Sequence, residues 1–427
     1  MKEKNSDPLI DVNQLKVGMF IHLDLGWMSH PFPLSSFKLS SEDQLVVLRR
    51  LGLTQVRWSP GKSDLKLEGE ALAPAAPREA QTAEMSPEDL AREARRLALQ
   101  AQRDALALCE KQYGEAGKAF NMVMELVPKQ PVMAREQSEA LTAALLDKML
   151  IEGDLNIRLL SEGAGDRVTA HALNVSIISL LLGRAFGMSR DEMMDLGVGA
   201  LMHDVGKSEL PARLRHRDDS FTAVETQTYQ SHVAKGVAIA QSMAMSPGPL
   251  LVIAQHHENA DGSGFPQKLN MDRMSAAARI VALVNRFDGL CNPVQISRSL
   301  TPHEALSLMF AQGRNRFDST MLNAFIRMMG VYPPGSIVQL TDDRYAIVDA
   351  VNSSRPLKPK VLVHDAKVPR EEALILNLEE QPDLGIRRSL KAQQLPRAAL
   401  DYLSPRARVA YFFESAGPIT VSGELAA

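Results

Sequence analysis

The spacing of apolar residues changes along the chain, and the changes mark segments with different predicted structures. Between Glu136 and Gly330, apolar residues recur at the three- and four-residue intervals of a helix that packs one face on a core. Stops rich in glycine or proline occur at residues 163–165 and 246–249. The pattern therefore predicts a helical domain over residues 135–330.

Shorter apolar runs, typical of strands, lie on the N-terminal side of this domain. Residues 10–60 carry such runs between turn residues and around one helical stretch from Ser41 to Leu51. Ser41 can cap the start of that helix, and Gly52 follows its last turn. Residues 1–67 are therefore predicted to form a small α/β module.

Runs of the β type also follow the helical domain. They cover residues 336–340, 345–348 and 360–363, and residues 341–344 make a hairpin turn between the first two. Residues 331–427 are therefore predicted to form a small β-rich module. The expected fold class is mainly α, with an all-helical central domain flanked by a small N-terminal α/β module and a small C-terminal β-rich module.

The N-terminal module and the helical domain are joined by two different segments. Residues 68–85 are rich in Ala, Pro, Glu and Gly and have no periodic apolar positions, which predicts a flexible linker. Ser86 and Pro87 then place a hydroxyl cap and a proline where a helix begins, and two acids follow in its first turn. We therefore expect a connecting helix over residues 86–134.

An apolar stripe runs along this connecting helix from Leu90 to Leu108. Such a stripe can form a dimerising coiled coil or can pack on the helical domain. Asp104 falls on the seam, and Gly114 and Gly117 end the repeat, so packing is favoured. A homodimer or a signalling-protein partner is nevertheless left open.

The charge balance excludes several classes of protein. Lys and Arg total 48 against 51 Asp and Glu, so no overall positive field can hold DNA or an acidic membrane. Residues 1–8 lack the apolar core of a signal peptide, and the longest apolar stretch, residues 175–182, is too short for a bilayer span. Cys109 and Cys291 are too few for a disulfide framework. A cytoplasmic protein with reduced thiols is expected.

The polar residues of the helical domain point to metal binding. Five histidines and an aspartate recur along it: His171, His203, Asp204, His232, His256 and His257. Neutral imidazoles and carboxylates suit divalent iron, manganese or zinc, and a carboxylate can bridge two such ions. Adjacent helical residues point about 100° apart, so His203 and Asp204 can serve one cluster only if two ions lie side by side. Asp204 is the candidate bridge. The other histidines are interpreted as ordinary core or surface residues: His22, His30, His216, His303 and His364.

The sequences around these residues resemble the signature blocks of the HD-GYP family. One block is His203-Asp204-Val205-Gly206-Lys207, and the other runs from His256-His257-Glu258 to Asp261-Gly262-Ser263-Gly264-Phe265-Pro266. His171 upstream, His232 between the blocks and Ala278-Arg279-Ile280-Val281 downstream follow in family order. The resemblance covers roughly residues 135 to 330. It implies an HD-GYP catalytic domain, that is, an all-helical metal-dependent phosphodiesterase that acts on cyclic di-GMP.

The resemblance also implies ligands for two divalent ions, with iron or manganese expected. The first ion would be held by His171, His203 and Asp204, and the second by Asp204, His232, His256 and His257. Asn285 stands where the family has an aspartate for the first ion. Its amide oxygen can coordinate that ion but brings no negative charge, so the ion is expected to bind more weakly or to be a different metal. Asp288 either compensates at the ion or acts as a capping or salt-bridging acid. Arg167 replaces a glutamate that holds a third ion in some relatives, so only two ions are expected.

Further residues of the two blocks are given roles in the reaction. Two ions about 3.5–4 Å apart would share a water, lower its pKa from 15.7 toward about 7, and supply a bridging hydroxide for in-line attack. Lys207 is expected to neutralise a phosphate oxygen. Gly262 and Gly264 permit either a turn or a close approach of the backbone to the substrate. Asp261 is expected to shape this loop, and Glu258 to orient a ligating imidazole.

Other positions depart from the family pattern or lie outside the matched blocks. Phe265 stands where the family name has tyrosine, so the ring packing is expected to persist without the phenolic hydrogen bond. Residues 291–295 replace the Arg-Pro-Tyr segment that grips the nucleotide in relatives, which leaves nucleotide selectivity open. Residues 26–34 resemble part of a module that precedes some HD-GYP domains, and its aromatics either pack in a loop held by prolines or bind a partner.

Three functions are compatible with these residues. The leading prediction is hydrolysis of cyclic di-GMP to pGpG and/or GMP, which would lower the messenger and affect motility and biofilm formation. The alternative is a catalytically weakened cyclic-dinucleotide sensor or signalling scaffold, because Asn285 has weakened the first ion site. The third is hydrolysis of another nucleotide at the same metal site.

Overall fold

The computed structural model describes most of the chain as two compact units. The described residues are 7–25, 30, 32, 36–64, 86–150, 153–161, 166–313, 315–352 and 355–415. The first unit covers residues 1–93 and the second covers residues 94–427. The linker predicted over residues 68–85 lies outside the described part of the chain.

The N-terminal unit contains a four-stranded antiparallel sheet and one helix. The sheet order is β1-β4-β2-β3, with β1 at Leu9–Asp11, β2 at Phe20–His22, β3 at Ser36–Lys38, β4 at Gln55–Trp58, and helix α1 at Glu42–Arg50. Met19, Ile21 and Val56 are buried in its core. Ser41 caps α1 as predicted, because its hydroxyl accepts a hydrogen bond from the Gln44 N–H at 3.4 Å. The predicted α/β module is therefore confirmed.

The segment 26–34 is described only at His30 and Phe32. Both side chains are buried, and the Phe32 ring lies 4.6 Å from the ring of Phe37. These two aromatic side chains therefore belong to the core of the N-terminal module. The rest of this segment lies outside the described residues.

Two helices occur where the sequence predicted one connecting helix. Helix α2 is Pro87–Leu126 and helix α3 is Pro131–Met149. The Ser86 hydroxyl accepts a hydrogen bond from the Asp89 N–H at 3.1 Å, so α2 begins where the capping pattern predicted. The prediction of one helix over residues 86–134 is wrong after residue 126. Pro131 has no N–H to donate and suits the first position of a new helix.

The second half of α2 is packed, whereas its first half is more exposed. Tyr113, Phe120 and Val123 are buried, but Leu90 and Leu97 are each 38% exposed. The Tyr113 hydroxyl also donates to the carbonyl of Ala170 at 3.4 Å. The packed residues therefore lie beyond the apolar stripe of residues 90–108, and the choice between packing and a coiled coil for that stripe stays a prediction.

The second unit is built mainly from helices. After α3 these are α4 (Arg167–Ala185), α5 (Arg190–Met202), α6 (Ala223–Gln230), α7 (His232–Ser242), α8 (Pro247–Gln255), α9 (Ala276–Cys291), α10 (Pro302–Gln312) and α11 (Ser319–Met329). Helix α4 packs against α5 and α9. By length and composition, α4 is the one described helix that could cross a membrane, but 72% of its apolar window is buried inside the protein. It is a central core helix of this unit.

An antiparallel sheet completes the second unit. Its strands are β5 (Leu155–Leu159), β6 (Ile337–Leu340), β7 (Tyr345–Asn352), β8 (Lys360–Val363), β9 (Ile375–Asn377), β10 (Ile386–Leu390) and β11 (Tyr411–Ser415), with helix α12 at Arg397–Leu403 before β11. The order is β10-β6-β7-β5-β11, and β8 pairs with β7 and β9. The predicted hairpin at residues 341–344 is confirmed by the β6–β7 pairing.

One strand of this sheet comes from an unexpected place. Strand β5 lies between α3 and α4, inside the segment whose pattern predicted helices, and it pairs with β7 and β11. Residues 155–159 and the C-terminal strands therefore form one sheet in one compact unit. The mainly α class with its two flanking sheets is confirmed, but the C-terminal sheet is joined to the helical domain through β5.

Candidate metal centre

The six predicted ligands come together from four places in the fold. His171 lies on α4, His203 and Asp204 follow the last residue of α5, His232 begins α7, and His256 and His257 follow α8. They form two groups that share Asp204, and the candidate ligand atoms of each group lie within 4.8 Å of one another. We call His171, His203 and Asp204 the first ligand group, and Asp204, His232, His256 and His257 the second ligand group.

Close helix packing brings these groups together. After Asp204 the chain makes a short 3-10 turn, Val205–Glu209, which lies directly against the start of α7. A Cβ atom at Gly206 would lie 2.0 Å from the carbonyl oxygen of His232 and 2.4 Å from the N of Gly236. Only glycine therefore allows the two segments to approach closely enough for Asp204 and His232 to share a site.

Hydrogen bonds to the backbone fix the orientation of three imidazoles. The Nδ1 atoms of His203, His232 and His256 lie 2.6, 2.6 and 2.8 Å from the carbonyl oxygens of the residues three positions earlier. A carbonyl oxygen only accepts hydrogen bonds, so each Nδ1 must carry the proton. The Nε2 atom of each neutral ring then offers a lone pair to the centre of the cluster.

The spacing of the Nε2 atoms fits shared cations. The Nε2 atoms of His171 and His203 are 3.1 Å apart, and those of His232 and His256 are 3.3 Å apart. Two imidazole nitrogens at about 2.1 Å from one ion are separated by about 3.0–3.4 Å for ligand angles near those of octahedral or tetrahedral sites. Facing lone pairs repel each other unless a positive charge lies between them.

The carboxylate of Asp204 lies between the two groups. Its Oδ2 is 3.5 Å from the Nε2 of His171 and 3.4 Å from that of His203. Its Oδ1 is 3.6 Å from the Nε2 of both His232 and His256. Each oxygen thus faces a different pair of imidazoles, which is the arrangement that a bridging carboxylate needs.

Two buried polar atoms of the cluster have no hydrogen-bond partner among the described residues. They are the Oδ1 of Asp204 and the Nε2 of His257, and both belong to the second ligand group. A buried polar atom without a partner costs free energy, so such atoms require an explanation. A divalent cation bound by both atoms would provide one, and the donor set of the centre therefore fits a metal site.

The electrostatics of the cluster keep most of its imidazoles neutral. Burial lowers the pKa of His203 to about 4 and that of His232 to about 3, although Asp204 opposes both shifts. Burial and the neighbouring His256 also hold the pKa of His257 well below its usual value. Neutral imidazoles are the form that binds metal, so these rings need not lose a proton near neutral pH.

The carboxylates give the first ligand group an attraction for positive charge. Burial disfavours the charged form of His171, but hydrogen bonds to Asp204 and Asp288 outweigh it and raise the pKa of His171 to about 9. Burial likewise opposes ionisation of Asp204, yet Lys207 and the histidines hold its pKa well below the usual range. A proton or a metal ion is therefore favoured beside His171.

Lys207 lies at the centre of the site. Its Nζ is 2.6 Å from Asp204 Oδ2 and 5.6 Å from the centre of the Tyr229 ring. Burial alone would lower the pKa of this ammonium, but Asp204 outweighs burial and raises it. Lys207 is therefore a fixed positive charge beside the carboxylate that both ligand groups share. Its role at a phosphate oxygen stays a prediction.

Asn285, which departs from the family pattern, and Asp288, three residues later, lie in different surroundings. Asn285 lines the same cavity as His171 and Asp204. Asp288 is only 1% exposed, and its Oδ2 accepts from His171 Nδ1 at 2.6 Å. Its Oδ1 accepts from the side-chain amides of Asn174 and Asn292, each at 2.8 Å. Both oxygens are thus engaged, so Asp288 orients His171 rather than taking the place of the missing carboxylate at the ion.

The prediction that Glu258 orients a ligating imidazole is wrong for the contacts that the structure describes. This carboxylate is buried and accepts from the backbone N–H groups of Gln267 and Leu269 at 2.7 and 2.9 Å, not from an imidazole. It therefore holds the loop after the paired histidines. Asp261 shapes this loop as predicted, because its Oδ1 accepts from the N–H of Ser263 at 2.9 Å.

The loop glycines serve the fold of the loop itself. Gly262 has a φ of +76°, which favours glycine. A Cβ atom at Gly264 would lie 2.4 Å from backbone atoms of Glu258 and Asn259, so its close approach is to this chain's own backbone. Contact of either glycine with substrate stays a prediction. The ring of Phe265 packs as expected, stacked on His257 at 4.5 Å.

A cavity of about 800 Å³ opens over the metal centre. Positively charged side chains line much of it: Arg167, Lys207, Arg215, Arg217, Arg286, Arg298 and Arg316. Arg298 pairs with Asp219 at 3.0 Å, whereas Arg217, Arg286 and Arg316 make no ion pair with a described residue. The cavity is therefore suited to a ligand with several negative charges.

Several residues of this cavity wall were not predicted from the sequence. His216, interpreted as an ordinary residue, lines the cavity and contacts Arg167. Burial, Arg167 and Lys207 lower the pKa of His216 to about 4, so it is a neutral hydrogen-bonding group there. The short basic run from Arg213 to Arg217 was visible in the sequence, but only the fold shows which of its side chains face the metal centre.

Family models match both parts of the chain. Residues 9–138 match a domain of unknown function, DUF3391, and residues 155–321 match the HD domain. The chain is also similar to a solved structure, Bd1817, described as a HDG"Y"P protein from Bdellovibrio bacteriovorus, at 16% identity and a TM-score of 0.41. That alignment covers 74% of this chain and 97% of the other.

Named relatives cover the chain to different extents. The cyclic di-GMP phosphodiesterase PA4108 of Pseudomonas aeruginosa is 26% identical, over 83% of this chain and 84% of the relative. Cyclic di-GMP phosphodiesterase PdeB of Borreliella burgdorferi is 22% identical, over 46% and 53%. The 3'3'-cGAMP-specific phosphodiesterase 2 of Vibrio cholerae is 27% identical, over 37% and 30%. The resemblance recognised from the sequence blocks is confirmed by the family models and the named relatives: residues 155–321 match the HD domain, and the segment that matches DUF3391 lies ahead of it.

Proposed function

We propose that this protein is a phosphodiesterase that hydrolyses cyclic di-GMP to pGpG and/or GMP, with two divalent ions, iron or manganese, in its metal centre. The observation that carries the proposal is the position of Asp204, whose two oxygens face different imidazole pairs at 3.4 to 3.6 Å. When bound, two such ions supply Lewis acidity and a water of lowered pKa for attack on a phosphodiester.

Lys207 is the protein's own contribution of charge at the reacting phosphate. Its ammonium is fixed beside Asp204 at 2.6 Å and lines the cavity. Negative charge accumulates on the non-bridging oxygens when a nucleophile attacks phosphorus, and a fixed cation stabilises that state without reorganising. Lys207 is therefore the residue that we assign to the transition state.

The cavity supports a dinucleotide rather than a small phosphate ester. Its volume of about 800 Å³ lies within the range of about 300–1,000 Å³ that is usual for ligand pockets. Arg217, Arg286 and Arg316 line it without a carboxylate partner among the described residues. A cyclic dinucleotide brings two phosphodiester charges and two bases, and arginine can bind phosphate or the hydrogen-bonding edge of guanine.

The named relatives support the reaction class more firmly than the choice of base. PA4108 and PdeB are named for cyclic di-GMP, but another similar protein is named for 3'3'-cGAMP. We assign cyclic di-GMP because the alignment with PA4108 covers most of both chains. A cytoplasmic location, a role in motility and biofilm formation, and a homodimer or signalling partner stay predictions.

The test is a hydrolysis assay with the full chain. Purified protein loaded with ferrous or manganous ion is incubated with cyclic di-GMP or 3'3'-cGAMP, and products are separated by chromatography. Asp204→Asn should lower turnover by on the order of 10³-fold or more, because one change removes the charge shared by both ions. His303→Ala is the matched control, since His303 bonds the carbonyl of Val331 at 2.7 Å and does not line the cavity.

Two outcomes would contradict the proposal. One is a folded, metal-loaded protein that binds cyclic di-GMP tightly but leaves it intact, which is the behaviour of a sensor. The other is Asp204→Asn with the turnover of the unaltered protein, which would place the chemistry elsewhere.

A further inference from the structure

The carboxylate of Asp288 links the metal centre to the C-terminal sheet. Asp288 accepts from His171 Nδ1 at 2.6 Å with one oxygen. The other oxygen accepts from Asn174 Nδ2 and from Asn292 Nδ2, both at 2.8 Å. Asn174 is on α4 with His171, and Asn292 follows the last residue of α9.

Both asparagines also hold the chain just before and at the start of β11. Their side-chain amides donate a second hydrogen bond to the carbonyl of Val409, at 3.0 Å from Asn174 and 2.9 Å from Asn292. Their side-chain oxygens accept in return, from the N–H of Tyr411 at 3.1 Å and from the N–H of Val409 at 2.9 Å. Each amide therefore uses both of its donors and its acceptor.

Most of this network is buried, whereas Asn292 is partly exposed and lines the cavity. Asn174 and Tyr411 are 0% exposed and Asp288 is 1% exposed. A buried carboxylate that loses a donor, or a buried amide that loses a partner, cannot recover the bond from bulk water. A shift of residues 409–411 would therefore change the position of the Asp288 carboxylate, and with it the orientation of the His171 ring.

The strand that follows is itself firmly placed. Tyr411 to Ser415 pair along the whole of β5. The Tyr411 hydroxyl donates to the carbonyl of Pro334 at 3.3 Å, and Glu414 pairs with Arg158 at 3.0 Å. Val409 thus lies two residues before a strand that is paired along its whole length.

We propose that Asn174 and Asn292 are positioning residues of the metal centre, which use residues 409–411 of the C-terminal sheet to hold Asp288 and thereby aim His171 at the first ion. The inference rests on the metal centre of the proposed function. It makes the C-terminal sheet a structural part of the first ion site. Among the described residues, His232 and His256 of the second ligand group are held instead by carbonyls of their own helical turns.

The test is the affinity of each ion site in Asn292 variants of the full chain. Asn292→Ala removes the donors to Asp288 and Val409 and the acceptor for Val409. Asn292→Asp retains an acceptor for the Val409 N–H but replaces the amide donor with an oxygen that repels Asp288. Asn377→Ala is the control, because Asn377 caps a turn in the same sheet through Glu379 and Glu380, away from Asp288.

Manganese binding is followed by electron paramagnetic resonance and by calorimetry, alongside thermal unfolding. Both Asn292 variants should lower the affinity for one of the two manganese ions by about 10–100-fold and leave the affinity for the other unchanged. Asn377→Ala should leave both affinities unchanged even if it lowers the melting temperature.

Different results separate the inference from the proposed function. Suppose that the original protein binds two manganese ions and that folded Asn292→Ala binds both with the same affinities. That result would overturn the inference but not the proposed function. Equal weakening of both ions would also overturn it, since the effect would not be confined to the first ligand group. An unaltered protein that binds no ion would overturn the metal centre itself and the inference with it.

Discussion

The two ligand groups of the metal centre are supported in different ways. In the second ligand group, His232 and His256 are each oriented by a carbonyl oxygen only three residues earlier in the chain. In the first ligand group, His203 is oriented in the same local way, but His171 is oriented by Asp288, which is 117 residues away in sequence. Asp288 depends in turn on two asparagines that are held by Val409, just before β11.

The orientation of the imidazoles in the two groups therefore depends on different parts of the structure. A hydrogen bond within a helical turn forms whenever the helix forms, so the ring orientations of His232 and His256 depend on local structure. The first ligand group is correct only when α4, α9 and the C-terminal sheet are all in place. It also carries Asn285 where a charged ligand is expected. We therefore expect the first ion to bind more weakly than the second and to be more sensitive to substitutions far from it.

Among substitutions that spare the ligands themselves, the largest effect is expected at Lys207, which contacts the carboxylate shared by both groups. Lys207→Met removes the ammonium beside Asp204 but keeps a side chain of similar length. Turnover should fall by about 100- to 1,000-fold, because a fixed charge at the transition state is lost. Both ions should be retained, since the site loses a positive charge that competes with them.

Metal stoichiometry and steady-state kinetics on the same sample check this prediction. An exposed lysine outside the cavity, Lys367, gives the control variant Lys367→Met. Loss of one ion would show that Lys207 acts through the metal ligands. Unchanged turnover would show that Lys207 has no part in the reaction.

A smaller effect, confined to one group, is expected from Asp288→Asn. The amide has the same shape, but its NH₂ must face either the Nδ1–H of His171 or the amides of Asn174 and Asn292, all of which donate. The first ion should weaken by about 10–100-fold, and the free energy of unfolding should fall by about 1–3 kcal/mol.

Calorimetric titration with manganese, together with urea unfolding, separates these two effects. Asp383→Asn, at an exposed position of a turn, serves as the control. The comparison between the two groups would fail if Asp288→Asn weakened the second ion as strongly as the first.

The smallest effect is expected from restoring a charged ligand to the first ligand group. Asn285→Asp adds a carboxylate to the wall that it shares with His171 and Asp204. The first ion should bind about 10-fold more tightly, because each charged oxygen ligand adds to the attraction for a divalent cation. Without metal, the added charge near Asp204 should lower the melting temperature.

Parallel melting curves with and without manganese measure this change of sign. Asn285→Gln is the matched control, because it keeps an amide and adds no charge. Destabilisation that persists in saturating manganese would indicate that position 285 does not face the first ion.

The sequence predicted the six members of the cluster because their types and order carry the chemistry. Asp204 was also recognised as the shared residue, since adjacent ligands require adjacent ions. The supports of the cluster were less accessible. Asn174 and Asn292 are ordinary residues of a helix and a helix end, and their role depends on a strand that approaches from residues 409–411.

Two elements show why local patterns were insufficient. Strand β5 is five residues long, and its partners lie near residues 350 and 411–415, so its pairing is set by tertiary contacts. Glu258 follows directly after the paired histidines, which suggested a contact with an imidazole. The loop instead turns back, so that the N–H groups of Gln267 and Leu269 donate hydrogen bonds to the Glu258 carboxylate.

The most direct test of the account is to locate the metal ions in crystals of the purified protein grown with manganese. Anomalous difference maps should show two peaks, one on each side of the Asp204 carboxylate, with the peak beside His171 at the lower occupancy when manganese is limiting. A single peak that contacts only the second ligand group at saturating manganese, or no peak at Asp204, would contradict the account.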